Sequence, residues 1–128
     1  NSNGSFRIVQ FTDTHFGESN IGNYLTASLM SSILDAEHPD LVVLSGDIIS
    51  GYTWNGQPNW FDTVWRKAVQ PMVDRSIPWL FTPGNHDTEG ELNRTQIFQH
   101  ETTKFAQLGS LSQTGYIDEE SGQNIYSV

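Results

Sequence analysis

The 128-residue sequence contains no cysteine, which excludes disulfide bonds, thiolate catalysis and thiolate metal sites. Basic residues are also scarce, because six Lys and Arg stand against fifteen Asp and Glu and give a formal net charge of −9. Such a chain repels nucleic-acid phosphates and anionic membrane surfaces, so we expect no nucleic-acid partner and regard metal cations as more natural partners. Any metal site must use histidine, carboxylate or amide ligands.

Long hydrophobic runs are missing as well. No apolar segment approaches the about 20 residues needed to cross a bilayer, so we expect no membrane segment. The chain begins with Asn and stops at NIYSV, which resembles an interrupted strand, and this pattern suggests a fragment. Two N-x-S/T triplets, at Asn3 and Asn93, permit a secretory or extracellular location without deciding the compartment.

Three short apolar runs, each followed abruptly by polar residues, predict three buried β-strands. They cover about residues 6–11, 41–44 and 79–81. Helical spacing between them predicts an amphipathic helix that ends before Pro39 and a second helix over about 61–73. A weakly periodic segment over about 89–108 is predicted to be helical, and residues 114–128 are predicted to form two short β-runs around a turn that contains Gly122.

The first predicted helix has its apolar residues at a spacing of four, which predicts the face that it buries. That stripe consists of Ile21, Leu25, Leu29 and Ile33, widened by Tyr24, Met30 and Leu34.

The alternation of strands and helices predicts an α/β fold with a parallel βαβαβ core and right-handed crossovers, in one domain that covers 1–128. Because parallel strands end at the same edge of a sheet, the polar residues that follow all three strands should meet there. In open α/β sheets this carboxyl edge is where ligands bind.

Three polar motifs follow the three predicted strands. Asp13-x-His15 follows the first, Gly46-Asp47 the second, and Gly84-Asn85-His86-Asp87 the third. Taken alone, the first motif fits a helix N-cap and an ordinary histidine, and the second fits a common turn. The third motif is far more specific, because average residue usage produces it by chance in about one chain of this length in a few thousand.

The residue types in these motifs suit zinc, iron or manganese, since two carboxylates and an imidazole offer oxygen and nitrogen ligands. Asp47 follows the central strand, so its two oxygens could bridge two ions, and Asn85 could serve the second ion. Asp13 and His15 can reach one ion if the chain leaves strand geometry at Thr14. The two motif glycines either permit a sharp turn and the approach of an oxyanion, or are ordinary turn glycines.

The segments FTDTH, LVVLSGDI and TPGNHD, in that order, resemble the calcineurin-like metallophosphoesterase superfamily. Their surroundings are most similar to its purple-acid-phosphatase-related branch, which keeps D-x-H. The resemblance implies the N-terminal portion of a four-layer sandwich, and hydrolysis of phosphate esters of small molecules or phosphoproteins at a dinuclear centre. It further implies two divalent or trivalent ions (Fe, Zn or Mn), with Asp13 and His15 on one, Asp47 bridging and Asn85 on the other.

The same resemblance implies a catalytic role for His86, which would contact the substrate together with Asn85 and protonate the departing alkoxide. Asp87 would orient His86 and raise its basicity. A helix N-cap is a competing and compatible role for Asp87, because DTEGE resembles a helix start.

The sequence departs from the family pattern in several places. The later histidine ligands are not in this chain, and His38 and His100 fit a helix end and a solvated helix face instead, so we expect weak metal binding or poor catalysis from these residues alone. A non-catalytic binding scaffold with the same fold is the alternative. Ser50 occupies the position of the chromophoric tyrosine, which predicts a colourless centre. The loop that carries Tyr52, Trp54, Asn55 and Trp60 either forms a rim that selects the organic group of the substrate, or its aromatic residues cover the core.

Overall fold

The computed structural model describes residues 4–113, so the predicted β-runs of 114–128 lie outside the described residues. The described part contains strands β1 (Ile8–Phe11), β2 (Leu41–Leu44) and β3 (Trp79–Phe81), and helices α1 (Asn20–Glu37), α2 (Trp60–Val73) and α3 (Arg94–Thr102). Short 3₁₀ turns cover Gly51–Thr53, His86–Thr88 and Ala106–Leu108. Over 4–113, no helix combines the length and the apolar character that spanning a bilayer requires.

The three strands form one parallel sheet in the order β1-β2-β3, which confirms the predicted βαβαβ core. Ile8 pairs with Leu41 in the first ladder, and Val42 pairs with Trp79 in the second. β2 is therefore the central strand, and all three strands point their carboxyl ends to the same edge. This mixed α/β architecture is the one that the sequence resemblance implied for an N-terminal part of a metallophosphoesterase fold.

The first strand was predicted to be buried, and within residues 4–113 most of it is not. Among the strands of the described range, β1 lies at one edge of the sheet. Ile8 is 55% exposed, and Phe6, which precedes the strand, is 67% exposed. Phe11, which lies next to the polar motif, is the buried member of the strand. The apolar run correctly predicted the strand itself, but composition alone does not reveal how many neighbours a strand has.

The apolar stripe predicted for α1 is also largely wrong, because the helix turns a different face to the core. Its buried residues are Asn23, Met30 and Leu34, whereas Ile21, Tyr24, Leu25 and Leu29 are exposed. Asn23 is tolerated inside because its Oδ1 accepts a hydrogen bond from the Gly17 N–H at 2.9 Å. The spacing correctly predicted the helix, but it did not predict that a hydrogen-bonded amide would lie on its buried face.

The other two helices differ in how well their sequences predicted them. α2 packs against α1 and buries the predicted stripe, including Phe61, Trp65 and Met72. α3 is shorter than predicted, because it begins only after Asn93, whose side chain accepts from the Gln96 N–H in a capping box. The preceding residues, which include the GNHD motif, are therefore free to form the loop beside the sheet.

Candidate metal centre

The side chains of Asp13, His15 and Asp47 meet at the carboxyl edge of the sheet. Each offers one ligand atom, and these atoms all lie within 4.8 Å of one another. Asp13 and His15 come from the loop after β1, and Asp47 comes from the loop after β2. The predicted convergence of the first two motifs is therefore present, and the three residues could hold a metal ion.

The backbone at these three residues adopts a conformation that is rare for side chains with a Cβ. Asp13, His15 and Asp47 have φ values of 53°, 51° and 50°, each in the left-handed region. Such a conformation costs on the order of 1 kcal/mol per residue, and it occurs often at functional sites. The bend predicted at Thr14 is thus made by the two residues that flank it, which turns both candidate ligands to the same side.

Hydrogen bonds between the two loops hold this conformation in place. The Asp13 N–H donates to the Gly46 carbonyl at 3.1 Å, and the His15 N–H donates to the Asp47 carbonyl at 3.2 Å. The Phe16 N–H continues the pattern to the Ile48 carbonyl at 2.9 Å. The loops therefore stay paired beyond the ends of β1 and β2, and their pairing fixes the distance between the candidate ligands.

The glycines of the second and third motifs allow two loops to approach closely. A Cβ on Gly84 would lie 2.2 Å from Asp47 Oδ1, and a Cβ on Gly46 would lie 2.8 Å from the Gly84 nitrogen. Neither position has room for a side chain. The two glycines are therefore required for the contact between the β2 and β3 loops.

Asn85 lies between two residues that contact Asp47. Gly84 touches the Asp47 carboxylate, and the His86 N–H donates to Asp47 Oδ1 at 2.9 Å. Asn85 itself is exposed at this edge. The third motif thus lies beside the first two, while the role of Asn85 as a ligand stays a prediction.

Asp87 is buried, and its carboxylate connects the loops that follow β2 and β3. Its Oδ1 accepts from the N–H groups of Ile48 and Ile49 at 2.9 and 3.0 Å, and its Oδ2 accepts from those of Asp47 and Gly84 at 2.8 and 2.7 Å. Burial raises the pKa of Asp87, and these backbone hydrogen bonds oppose the rise. Both oxygens are occupied, so Asp87 does not orient His86 through a hydrogen bond as predicted. Its charge contributes to the raised pKa of His86 only as the smallest of the causes. The competing N-cap role falls to Asn93 for α3.

The carboxylate that contacts His86 is Glu89. Glu89 Oε2 lies 2.6 Å from His86 Nδ1, and this hydrogen bond is the main reason that the pKa of His86 is raised. The His86 ring also lies close to two other rings. Its centroid is 5.1 Å from that of Tyr52, in an edge-on arrangement, and 5.5 Å from that of His15.

His15 is the first member of a hydrogen-bonded chain that continues through Ser50 to Glu18. His15 Nδ1 lies 2.9 Å from Ser50 Oγ, which donates to Glu18 Oε1 at 2.9 Å. The Tyr52 hydroxyl donates to the same Glu18 oxygen at 2.5 Å, and this bond is the first reason that the pKa of Glu18 is lowered. Since Nδ1 is engaged by Ser50, Nε2 is the nitrogen of His15 that remains free for a metal.

The aromatic loop residues divide between the two predicted alternatives. Tyr52 is 52% exposed and borders the site beside His86. Trp54 is also exposed, but its Nε1 donates to the Gln57 carbonyl within its own loop at 2.9 Å. Trp60 packs partly buried against the core. Of the loop aromatics, Tyr52 is therefore the one that is seen at the rim of the site.

The two remaining histidines lie outside this cluster. His38 caps the C-terminal end of α1, where its N–H donates to the Leu34 carbonyl, as predicted for a helix end. His100 is not on a solvated face, because its Nδ1 lies 2.6 Å from Asp62 Oδ1 and its ring stands edge-on to Phe61. It links α3 to α2.

Reasoning from the sequence missed Glu18, Ser50 and Glu89 as members of the site. All three lie within three residues of a motif residue, since Glu18 follows His15, Ser50 follows Asp47 and Glu89 follows Asp87, which is a weak signal that proximity alone could have supplied. Glu18 is 32 residues from Ser50, and only the pairing of the two loops brings them together.

Comparison with known proteins identifies the family. Residues 6–126 match the family model described as calcineurin-like phosphoesterase. The chain belongs to this family. Among its relatives is phosphatase DCR2 of Saccharomyces cerevisiae, which is 37% identical over 73% of this chain and 18% of that protein.

Two further relatives carry other names. Probable inactive purple acid phosphatase 29 of Arabidopsis thaliana is 30% identical over 77% of this chain and 28% of that protein. A probable cyclic nucleotide phosphodiesterase of Synechococcus is 32% identical over 63% of this chain and 32% of that protein. The chain thus spans about a third or less of the length of these relatives.

Proposed function

We propose that this protein is a metal-dependent phosphoesterase that hydrolyses phosphate esters at a dinuclear centre of iron, zinc or manganese. The observation that carries the proposal is the convergence of Asp13, His15 and Asp47 ligand atoms within 4.8 Å of one another. Membership of the calcineurin-like phosphoesterase family supports the same reaction class.

The residues at the edge fit such ions chemically. Two carboxylates and an imidazole nitrogen are ligands that iron, zinc and manganese accept. Asp13 and His15 would hold the first ion, Asp47 would lie between the two, and Asn85 would serve the second. The left-handed backbone at the three clustered residues supports this assignment, since strained conformations of this kind occur at sites where ligands are held.

When bound, the two ions would lower the pKa of water and offset charge on the phosphoryl group. Asn85 and His86 would contact the substrate from the turn that follows β3. As water adds to phosphorus and the bond to the ester oxygen breaks, His86 would give its Nε2 proton to the departing oxygen. The products are the alcohol and inorganic phosphate, and the proton that water loses restores the imidazolium.

Hydrolysis of an aryl phosphate by the full-length protein, supplied with manganese, zinc or iron, tests this proposal. We expect Asp47→Asn and His86→Ala to lose about 100-fold or more in kcat, because the first weakens the metal centre and the second removes the proton donor. Asp74→Asn is the matched control, since Asp74 is exposed at the end of α2. Equal hydrolysis by all four proteins would rule the mechanism out.

A non-catalytic binding scaffold is the second candidate, and the name of the Arabidopsis relative, which includes the word inactive, favours it. A scaffold has no need for a proton donor, whereas this chain keeps His86 beside Asp47. If the metal-loaded protein bound a phosphorylated compound and hydrolysed no phosphate ester, the scaffold would be the better account.

A further inference from the structure

We propose that Glu89 is a positioning residue that orients the His86 ring and leaves its Nε2 as the atom that exchanges a proton with the substrate. This inference rests on the proposed function, because His86 acts there as the proton donor. Glu89 lies outside the G-N-H-D motif, two residues after Asp87.

The geometry around His86 is the first support. Glu89 Oε2 lies 2.6 Å from His86 Nδ1, and the two residues belong to one short turn in which the Glu89 N–H donates to the His86 carbonyl at 3.3 Å. The backbone of His86 is anchored separately, since its N–H donates to Asp47 Oδ1 at 2.9 Å. Asp47 thus holds the backbone of His86, and Glu89 contacts its ring at Nδ1.

The second support for the proposal is that the carboxylate of Asp87 is already fully hydrogen-bonded. Its two oxygens accept four backbone hydrogen bonds, so Asp87 has no oxygen to offer the imidazole. Of the two neighbouring rings, Tyr52 turns its hydroxyl to Glu18, and His15 has its Nδ1 engaged with Ser50 Oγ at 2.9 Å. Among the described residues that border the ring, Glu89 is therefore the hydrogen-bonding partner.

The chemical consequence follows from the two nitrogens of imidazole. A carboxylate beside Nδ1 accepts a hydrogen bond from the Nδ1–H group and so favours a proton on that nitrogen. The neutral ring is then the Nδ1–H tautomer, and Nε2 is the position where a proton arrives and leaves. A glutamine at position 89 has the same shape but can present its amide N–H₂ to Nδ1, which favours the opposite tautomer. Glu89→Gln therefore separates positioning from packing.

Kinetics of the full-length protein with two substrates form the first test. Phenyl phosphate needs a proton on its departing oxygen, whereas 2,4-dinitrophenyl phosphate needs it much less. We expect Glu89→Gln and Glu89→Ala to lower kcat on phenyl phosphate by about tenfold, with KM nearly unchanged and a loss of about twofold or less on the dinitrophenyl ester. Glu37→Gln, an exposed glutamate on α1, is the control.

An equal loss on both esters, or no loss with Glu89→Gln, would overturn the proposal. If Glu89 had a purely structural role, Glu89→Gln would leave kcat unchanged, because glutamine has the same shape and preserves the packing. The leaving-group difference is a result that a structural role does not produce.

Nitrogen-15 spectroscopy of the imidazole rings in the metal-free protein is the second test, and it needs no activity. At alkaline pH we expect His86 to carry its proton on Nδ1 in the wild type and to lose this preference in Glu89→Gln. A wild-type ring protonated mainly on Nε2 would contradict the proposal even if the variants failed to fold. An inactive protein with the Nδ1–H tautomer would instead refute the proposed function and leave the positioning by Glu89 intact.

Discussion

Two buried carboxylates in this molecule each accept four hydrogen bonds, but from different kinds of donor. Asp87 lies beneath the candidate metal centre and binds backbone N–H groups of the loops after β2 and β3. Glu101 lies in the core on α3 and binds side chains only. Its donors are the Nε1 groups of Trp65 and Trp79 and the hydroxyls of Ser110 and Ser112.

The difference shows two ways in which a small α/β unit uses a buried acid. Asp87 fixes the course of the backbone, so that Asp47 is presented at a set distance from Asp13 and His15. Glu101 joins α2, α3, β3 and the segment after α3, and touches none of the candidate ligands. Burial raises the pKa of both groups. Loss of Asp87 should therefore damage the site and the fold, whereas loss of Glu101 should damage only the fold.

The largest effect is expected for Asp87→Asn. An amide has one acceptor oxygen, so two of the four backbone N–H groups lose their acceptor, which lowers the free energy of unfolding by about 2–6 kcal/mol. Asp47 is one of the residues released, so metal binding should also be lost. Urea unfolding and calorimetric titration with Mn²⁺ measure the two effects, with Asp74→Asn as the control. A variant that kept normal metal affinity would break the distinction between the two acids.

Gly84→Ala tests the close approach of the two loops without removing any polar group. The new Cβ would lie 2.2 Å from Asp47 Oδ1, so we expect a loss of about 1–3 kcal/mol in the free energy of unfolding and a large loss of metal affinity. Gly56→Ala is the control for metal affinity, because a Cβ there meets nothing within 4 Å; its φ of +85° predicts a small loss of stability of its own and no change in metal binding. Unaltered metal affinity in Gly84→Ala would show that the loops are not held this tightly.

Glu101→Gln tests the expectation that the core acid supports the fold but not the site. The amide N–H₂ would replace one oxygen and face the Trp65 N–H, which lowers the free energy of unfolding by about 1–3 kcal/mol. Metal affinity should stay at the wild-type value. Reduced metal affinity in a folded variant would mean that the core acid also supports the site.

The difference in stability between the wild type and Glu101→Gln should depend on pH, and the raised pKa of Glu101 fixes its direction. Because the folded-state pKa of Glu101 is raised, its contribution to stability is complete below the unfolded pKa, about 4.3, and is lost as pH rises through the folded value. The glutamine side chain of the variant does not titrate, so the stability gap between the wild type and the variant should narrow as pH rises. Denaturant unfolding of both proteins across that range measures the gap, and a constant gap would contradict the raised pKa.

The smallest effect is expected for Ser50→Ala, which removes the hydroxyl between His15 and Glu18. Loss of a group that orients a metal-ligating histidine typically lowers metal affinity by about 10–100-fold, and we expect the lower end here because His15 is partly exposed. Stability should change little. Ser32→Ala, on the exposed side of α1, is the control, and equal metal affinity in both variants would exclude a supporting role for Ser50.

Particular residues show what the sequence could and could not predict. The parallel sheet and the convergence of Asp13, His15 and Asp47 were predictable, because buried runs that end in polar motifs fix where those motifs emerge. The buried face of α1 was not, since Asn23 is inside through a bond to Gly17, and Tyr24 remains outside.

Long-range contacts account for most of the other errors. Asp87 was expected to serve its neighbour His86, but its acceptors are filled by N–H groups that lie 38 to 40 residues away as well as by Gly84. Glu101 gave no sign of burial, because its four donors come from segments that meet only in the folded chain. Adjacency in sequence is a poor guide to which donor a buried acid meets.

The most direct test of the account is anomalous scattering from a crystal of the full-length protein grown with Mn²⁺. We predict a peak within about 2.0–2.3 Å of a carboxylate oxygen of Asp13, a carboxylate oxygen of Asp47 and Nε2 of His15. No peak at this edge at saturating Mn²⁺, or a peak bound by other residues, would contradict the claim that these three side chains share a metal ion.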